Sequence, residues 1–270
     1  MRLCVVTPLA EESSQIFTYY AEQVAAKVTS SDTSIVVKGL TPGVTRIYDA
    51  SNSYFRLLTK VQIIEKIIEA ADEGFDGVVV HCFIDPGVRE GRSVVNIPVI
   101  GPGESSMYFA CMLGHKFGVV TINDPTPIVD MEIMIREYGL QDRAIARSVR
   151  PITMPLREYA RLSPEEAQKQ VIPDILDKAR ECVAEGAEVV VIGCTGLGPV
   201  CTLAGVTKIP EMDVPIIDCL AVGIKAAEAI ADFEQRLGLL PVARVRMYFK
   251  PRDKDLDRVR TAFGKKTCSG

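Results

Sequence analysis

Short runs of β-branched residues alternate along this chain with longer stretches in which apolar residues recur every three or four positions. That is the pattern of βαβ units feeding a parallel sheet. The runs predict strands at 3–7, 34–38, 77–80, 99–100, 117–121, 145–149, 188–192 and 215–217. Helices are expected between them at 13–28, 55–73, 104–113, 128–138, 164–185 and 221–237. In 55–73 the residues Ile63, Ile64, Ile67, Ile68 and Ala71 fall on one helical stripe. The helix starting at Pro164 carries its own start signal, with Ser163 as the cap and Glu166 three residues beyond it. Past Pro241, the pattern reads as a strand at 242–249 and a helix at 253–262.

The order of elements repeats. Cys4-Val5-Val6-Thr7 matches Gly118-Val119-Val120-Thr121, and Gly77-Val78-Val79-Val80-His81-Cys82 matches Val189-Val190-Val191-Ile192-Gly193-Cys194. A third match pairs Ile97-Pro98-Val99-Ile100 with Val214-Pro215-Ile216-Ile217. All three occur in the same order and stand 112 to 117 positions apart, which marks an internal duplication. The expected fold is α/β, with two pseudo-symmetric lobes, each a parallel sheet flanked by helices. Lobe 1 is expected to comprise 1–100 plus 218–270, and lobe 2 to comprise 101–217. Ligands of open α/β sheets gather outside the carboxyl ends of the strands, so the site belongs between the lobes.

That rule separates two of the eight cysteines from the rest. Cys82 and Cys194 occupy matched strand ends and lead into turns rich in Gly and Pro, where free backbone N–H groups can favour an anion. Cys4 lies in the first strand, Cys111 and Cys182 sit on helices, and Cys182 extends the stripe of Val171, Ile175 and Ala179. Those three read as small buried hydrophobes. Cys201 and Cys219 lie near the expected site without a partner in the repeat, and Cys268 falls in the tail. His81 invites a dyad with Cys82, but neighbours in an extended strand point to opposite faces. His115 reads as a surface turn residue.

Charge and composition narrow the function further. The net charge of −4 and the lack of a long basic run argue against nucleic acid as the partner. No stretch of eighteen apolar residues exists to make a membrane span, and the amino terminus reads as a core strand rather than a signal peptide. Eight cysteines without CxxC spacing point to reduced thiols in a cytoplasmic protein. Two histidines and no zinc-like spacing give no metal site. Gly101-Pro102-Gly103-Glu104 and Gly196-Leu197-Gly198 both fall short of a dinucleotide fingerprint and a Walker loop is absent, so no nucleotide cofactor is implied; a pyridoxal-phosphate lysine stays open, though no lysine stands at a comparable strand end.

At His81-Cys82-Phe83-Ile84-Asp85-Pro86-Gly87, 97–104, 113–121, Gly193-Cys194-Thr195-Gly196-Leu197 and 214–218 the chain resembles the Asp/Glu/hydantoin racemase superfamily, nearest its hydantoin racemase branch. The resemblance runs over about residues 3 to 240. It implies a cofactor-independent racemase or epimerase, with Cys82 and Cys194 as a two-base pair acting at the carbon α to a carbonyl. The implied substrate is a small carboxylate or hydantoin, and the implied assembly a homo-oligomer. By position, substrate oxygens would meet groups at Thr7, Pro8, Phe83, Thr121, Asn123, Thr195 and Gly196. Two stretches depart from the hydantoin branch: Thr7-Pro8-Leu9-Ala10, and Cys194-Thr195-Gly196-Leu197, whose Cys-Thr is closer to the amino-acid racemases. A maleate-type cis–trans isomerase and an arylmalonate-type decarboxylase use the same scaffold. A non-catalytic small-molecule binding protein is the reading from another class.

Overall fold

A computed structural model describes residues 1–267 of the chain, so Cys268 lies outside the described residues. The eight strands expected before Pro241 all form: β1 (Arg2–Ala10), β2 (Ser34–Leu40), β3 (Gly77–Val80), β4 (Val99–Ile100), β5 (Phe117–Asn123), β6 (Ala144–Pro155), β7 (Val189–Ile192) and β8 (Ile216–Asp218). The helices are α1 (Gln15–Val28), α2 (Ser53–Asp72), α3 (Val88–Val94), α4 (Pro102–Leu113), α5 (Pro125–Glu137), α6 (Leu156–Tyr159), α7 (Pro164–Ala184), α8 (Gly198–Leu203), α9 (Cys219–Leu237) and α10 (Asp253–Ala262). Ser163 accepts the Glu166 N–H while the Glu166 side chain returns to the Ser163 N–H, completing the capping box of α7.

Two parallel sheets result, ordered β2-β1-β3-β4 and β6-β5-β7-β8. Their registers repeat as the sequence does: Val6 pairs with Val80 in one sheet, and Val120 with Ile192 in the other. The inner strands β3 and β7 are buried along their whole length, which is why Val-Val-Val and Val-Val-Val-Ile runs replace alternation there.

The helices cover both faces of each sheet, and two of them cross over. On one face of the first sheet, Ile63, Ile67 and Ile68 of α2 pack against Cys4, Val6, Val78 and Val80. The other face carries Ala21 and Val24 of α1 together with Leu220, Ile224 and Ala227 of α9, although α9 follows a strand of the second sheet. In the same way α4 follows β4 of the first sheet, yet its Met107 and Ala110 pack against Phe117, Val119, Val189 and Val191 of the second. The remaining face of the second sheet takes α7 through Val171, Ile175, Ala179 and Cys182. α4 and α9 then meet each other, Pro102 lying against Gly223.

The expected strand at 242–249 does not form. That segment is irregular, with a single 3₁₀ turn at Arg246–Tyr248. The neighbouring edge, β4, is two residues long and offers almost no ladder to extend. Instead the tail is held by side chains: Arg244 donates to the Arg92 carbonyl at 2.7 Å and to the Val95 carbonyl, capping the end of α3. The three short helices α3, α6 and α8 were not expected, being too brief to show a helical period. Among the described residues no helix is long and apolar enough to cross a membrane.

Ile67 is fully buried, with its methyl groups against Gly91. Ile67→Ala is expected to cost ~2–5 kcal/mol, read as a lowered urea midpoint with an unchanged m-value.

Candidate active site

Each cysteine turn is built from the same backbone bonds. The His81 N–H donates to the Val6 carbonyl at 2.8 Å, and the Gly193 N–H to the Val120 carbonyl at 2.7 Å. These bonds are the last rungs of their ladders, and they release Cys82 and Cys194 into turns. The Asp85 N–H closes the first turn on the Cys82 carbonyl at 3.1 Å. The Leu197 and Gly198 N–H groups close the second on the Cys194 carbonyl at 2.9 and 2.8 Å.

The two turns touch across the lobes through matched positions. The Thr195 hydroxyl donates to the His81 carbonyl at 3.0 Å. Its counterpart Phe83 lays its ring against Gly193, where a Cβ would come 3.3 Å from the ring and 2.4 Å from Val119. Glycine is therefore required in the second half at the place where the first half holds His81.

A cavity of about 360 Å³ opens between the lobes, and both Cys82 and Cys194 line it. Both are half-buried. Its walls repeat as well: Pro8 and Ile122, Ser13 and Pro127, and Phe17 and Met131 are lining pairs 114 positions apart. The mouth is bordered by 45–48 and Ser51 after β2 and by 156–162 after β6. Polar contacts tie the two sides together. Arg56 of α2 pairs with Asp130 of α5, Ser51 with Asp124, and the Tyr48 ring lies between the guanidinium groups of Arg46 and Arg157, 5.1 and 4.9 Å from its centroid.

Of the residues expected to contact substrate, Pro8, Phe83, Thr195 and Gly196 line the cavity, and Thr7, Thr121 and Asn123 do not. The Thr7 hydroxyl is fully buried and bonded to Ser14 at 2.8 Å. The Thr121 hydroxyl donates to the Gly193 carbonyl at 2.8 Å and so supports the second turn from behind. The Asn123 amide donates to the Thr153 carbonyl at 3.0 Å. Cys201 and Cys219 are buried core residues outside the lining. The sequence reading missed Phe17, Tyr48, Tyr159 and Arg56. Tyr159 donates to the Gly196 carbonyl at 2.5 Å, bracing the Cys194 turn. The segments after β2 and β6 that carry Tyr48 and Tyr159 are counterparts at the cleft, since Lys38 and Arg150 hold the same register place 112 positions apart.

Burial dominates the electrostatics. It pushes the Cys82 thiol up to about 12, with the Ile84 N–H pulling the other way. The Cys194 thiol is raised too, but two donors, the Gly196 and Leu197 N–H groups, oppose its desolvation. Cys194 is thus the better placed of the two to carry negative charge. His81 is fully buried and lowered to about 4, and its ring stands edge-on to Phe17 at 5.0 Å. A neutral ring held in this way does not supply an acid to Cys82. Among the described residues no cluster of three or more His, Cys, Asp or Glu side chains is arranged to hold a metal ion.

Cys82 and Cys194 thus stand on matched turns and line one cavity between the two sheets. The family model of the Asp/Glu/hydantoin racemases matches residues 5–227, and the chain belongs to that family. It is 29% identical to a hydantoin racemase of Pseudomonas sp. (strain NS671) over 266 residues, 98% of each chain. Among solved structures it resembles the allantoin racemase of Pseudomonas fluorescens, with 25% identity, a TM-score of 0.74 and coverage of 93% of this chain and 97% of that one. The fold is shared with the allantoin racemase of Klebsiella pneumoniae, at 24% identity and a TM-score of 0.77 over 93% and 94% of the two chains. The protein is accordingly an isomerase of the racemase class.

Neutral imidazole at His81 has a direct test. Its ring resonances in an NMR titration are expected to stay at their neutral positions as pH falls from 7.5 to about 5. A midpoint near 6.5 would contradict the burial argument.

Proposed function

We propose that this racemase inverts the C5 centre of a neutral 5-substituted hydantoin, with Cys82 and Cys194 as the two bases. The observation that carries the reading is the character of the cavity holding both sulfurs. Ile16, Phe17, Ile47, Ile122, Met131, Leu156 and Leu162 give it largely apolar walls. Its two lining guanidinium groups, Arg46 and Arg56, are already paired with Asp49 and Asp130. A free amino acid or a dicarboxylate would bring charge that finds no spare cation there, a costly burial. A hydantoin ring brings only amide-like groups, and the apolar wall suits a hydrophobic substituent at C5.

In this mechanism one sulfur, as thiolate, takes the α-proton, and the C–H electron pair moves into the carbonyl as an enolate. The opposite thiol then gives its proton to the other face of the same carbon. The backbone N–H groups of Phe83 and Thr195, beside the two sulfurs, are the groups proposed to meet the enolate oxygen. After one turnover the thiol and thiolate have exchanged roles, so the same site serves both enantiomers. The two-lobe division at 1–100 plus 218–270 and 101–217 belongs to this reading. So do a cytoplasmic location and assembly into a homo-oligomer, for which exposed Tyr54, Leu57 and Leu58 of α2 offer an apolar face.

Chiral analysis of 5-benzylhydantoin, 5-isobutylhydantoin, allantoin, aspartate and glutamate incubated with the protein tests the substrate. The hydantoins with apolar substituents are expected to racemise fastest and the free amino acids not at all. Racemisation of aspartate or glutamate with the hydantoins left untouched would overturn the reading. Cys82→Ala and Cys194→Ala should each lose ~10²–10⁴-fold in rate. Because burial raises both thiols, the thiolate fraction grows as pH rises from 7 to 9, and kcat/KM is expected to rise with it. A rate already flat at pH 7 would show that neither thiol is the base.

A further inference from the structure

A buried carboxylate stands beneath each cysteine turn, and the proton transfers above use neither. Asp85 follows Cys82 by three residues and holds a φ of +50°, in the left-handed region that Asp tolerates better than most residues. Its Oδ1 accepts the Gly103 N–H at 2.9 Å, and its Oδ2 accepts the Glu104 N–H at 2.7 Å and the Tyr138 hydroxyl at 2.9 Å. Gly103 and Glu104 lie in the first turn of α4, whose own cap position, Gly101, has no side chain to offer. The Cys82 turn therefore supplies the cap from outside. It can do so because a Cβ at Gly101 would come 2.2 Å from the Asp85 carboxyl carbon.

In the second half the carboxylate comes from the other partner. Asp218 takes the place of Gly101 in the repeat and caps α9 itself, its Oδ1 accepting the Leu220 N–H at 2.9 Å. Its Oδ2 accepts the Thr202 hydroxyl of α8 at 2.7 Å. Here the glycine lies in the cysteine turn: a Cβ at Gly198, which donates to the Cys194 carbonyl, would come 2.3 Å from Asp218 Oδ1. Both halves thus keep one carboxylate against one glycine at the junction of cysteine turn and helix, the carboxylate coming from the turn in the first half and from the helix cap in the second.

We propose that Asp85 and Asp218 are positioning residues, each fixing the cysteine turn of its own half to the amino terminus of the crossing helix it caps, α4 for Cys82 and α9 for Cys194. Those helices are the elements shared by both lobes, so seating each turn on one of them fixes each sulfur in a common frame. The inference rests on the reading of Cys82 and Cys194 as the working pair, but its test needs no knowledge of the substrate.

Residue-resolved alkylation of the whole protein with iodoacetamide, followed by peptide mass spectrometry, reads each thiol separately. Asp85→Asn, which keeps the shape but loses one acceptor oxygen, is expected to change the Cys82 alkylation rate ~5-fold or more and leave Cys194 within about twofold. Asp218→Asn is expected to do the reverse. On a racemised substrate, each variant should lose ~10–100-fold in kcat with KM within about threefold, as a misplaced reacting group does. Tyr138→Phe and Thr202→Val remove one donor apiece without touching the carboxylates. They are expected to show the same separation more weakly, and they carry the test if either Asn variant does not fold. Equal changes at both thiols in every variant, or no change at either, would overturn the proposal. If the separation appears while Cys82→Ala and Cys194→Ala still racemise, the positioning inference stands and the two-base reading fails.

Discussion

The exchange of α4 and α9 between the two sheets is the constraint on which the site depends. Without it the lobes would be two separate βαβ layers meeting only at the cleft, free to shift against each other. With it, the helix that follows each lobe's last strand completes the core of the opposite lobe: Met107 and Ala110 fill one, Leu220 and Ile224 the other. Separating the lobes would expose both cores. The cysteine turns sit where the two crossing helices begin, and the hydrogen bond from the Thr195 hydroxyl to the His81 carbonyl joins them. A geometry that a loop alone would hold loosely is thus set by core packing.

Duplication explains why the two halves agree and also where they differ. One site that must act on both faces of a carbon suits two related lobes, but a perfect twofold cannot fill one cavity with two copies of every side chain. The differences fall at the contact between the turns. His81 in one half corresponds to Gly193 in the other, Phe83 corresponds to Thr195, and the carboxylate lies in the cysteine turn at Asp85 in one half but at the helix cap, Asp218, in the other. Each substitution has its complement, so the cavity stays closed without steric conflict. The inequality extends to the sulfurs, since two N–H donors serve Cys194 and one serves Cys82.

The eight strands were legible because buried parallel strands are written as unbroken β-branched runs, and the long helices because their stripes are periodic. Helices of seven residues or fewer, such as α3 and α8, leave no period to read. The residues 242–249 alternate like a strand, yet a strand also needs a neighbour, and β4 is too short to be one. At the site, the repeat singled out Cys82 and Cys194 because both end matched strands. The same logic carried Thr7, Thr121 and Asn123 to the cleft, but their side chains turn back to bond Ser14, Gly193 and Thr153. Position at a strand end is visible in sequence; the direction of a side chain there is not. Tyr48 lies in a 3₁₀ turn and Tyr159 in the four-residue α6, elements too short for periodicity or composition to mark a residue as facing a cavity.

The proposed mechanism has two sulfurs serving opposite faces of one carbon. Its most direct test is to run the racemisation in deuterated water from a single enantiomer and follow α-deuterium in substrate and product at early times. Two separate bases predict that the inverted product carries deuterium while the remaining substrate keeps its proton, because the group that removes the proton is not the group that returns one. Deuterium appearing in the substrate pool as fast as in the product would contradict this, since it would mean one base working both faces.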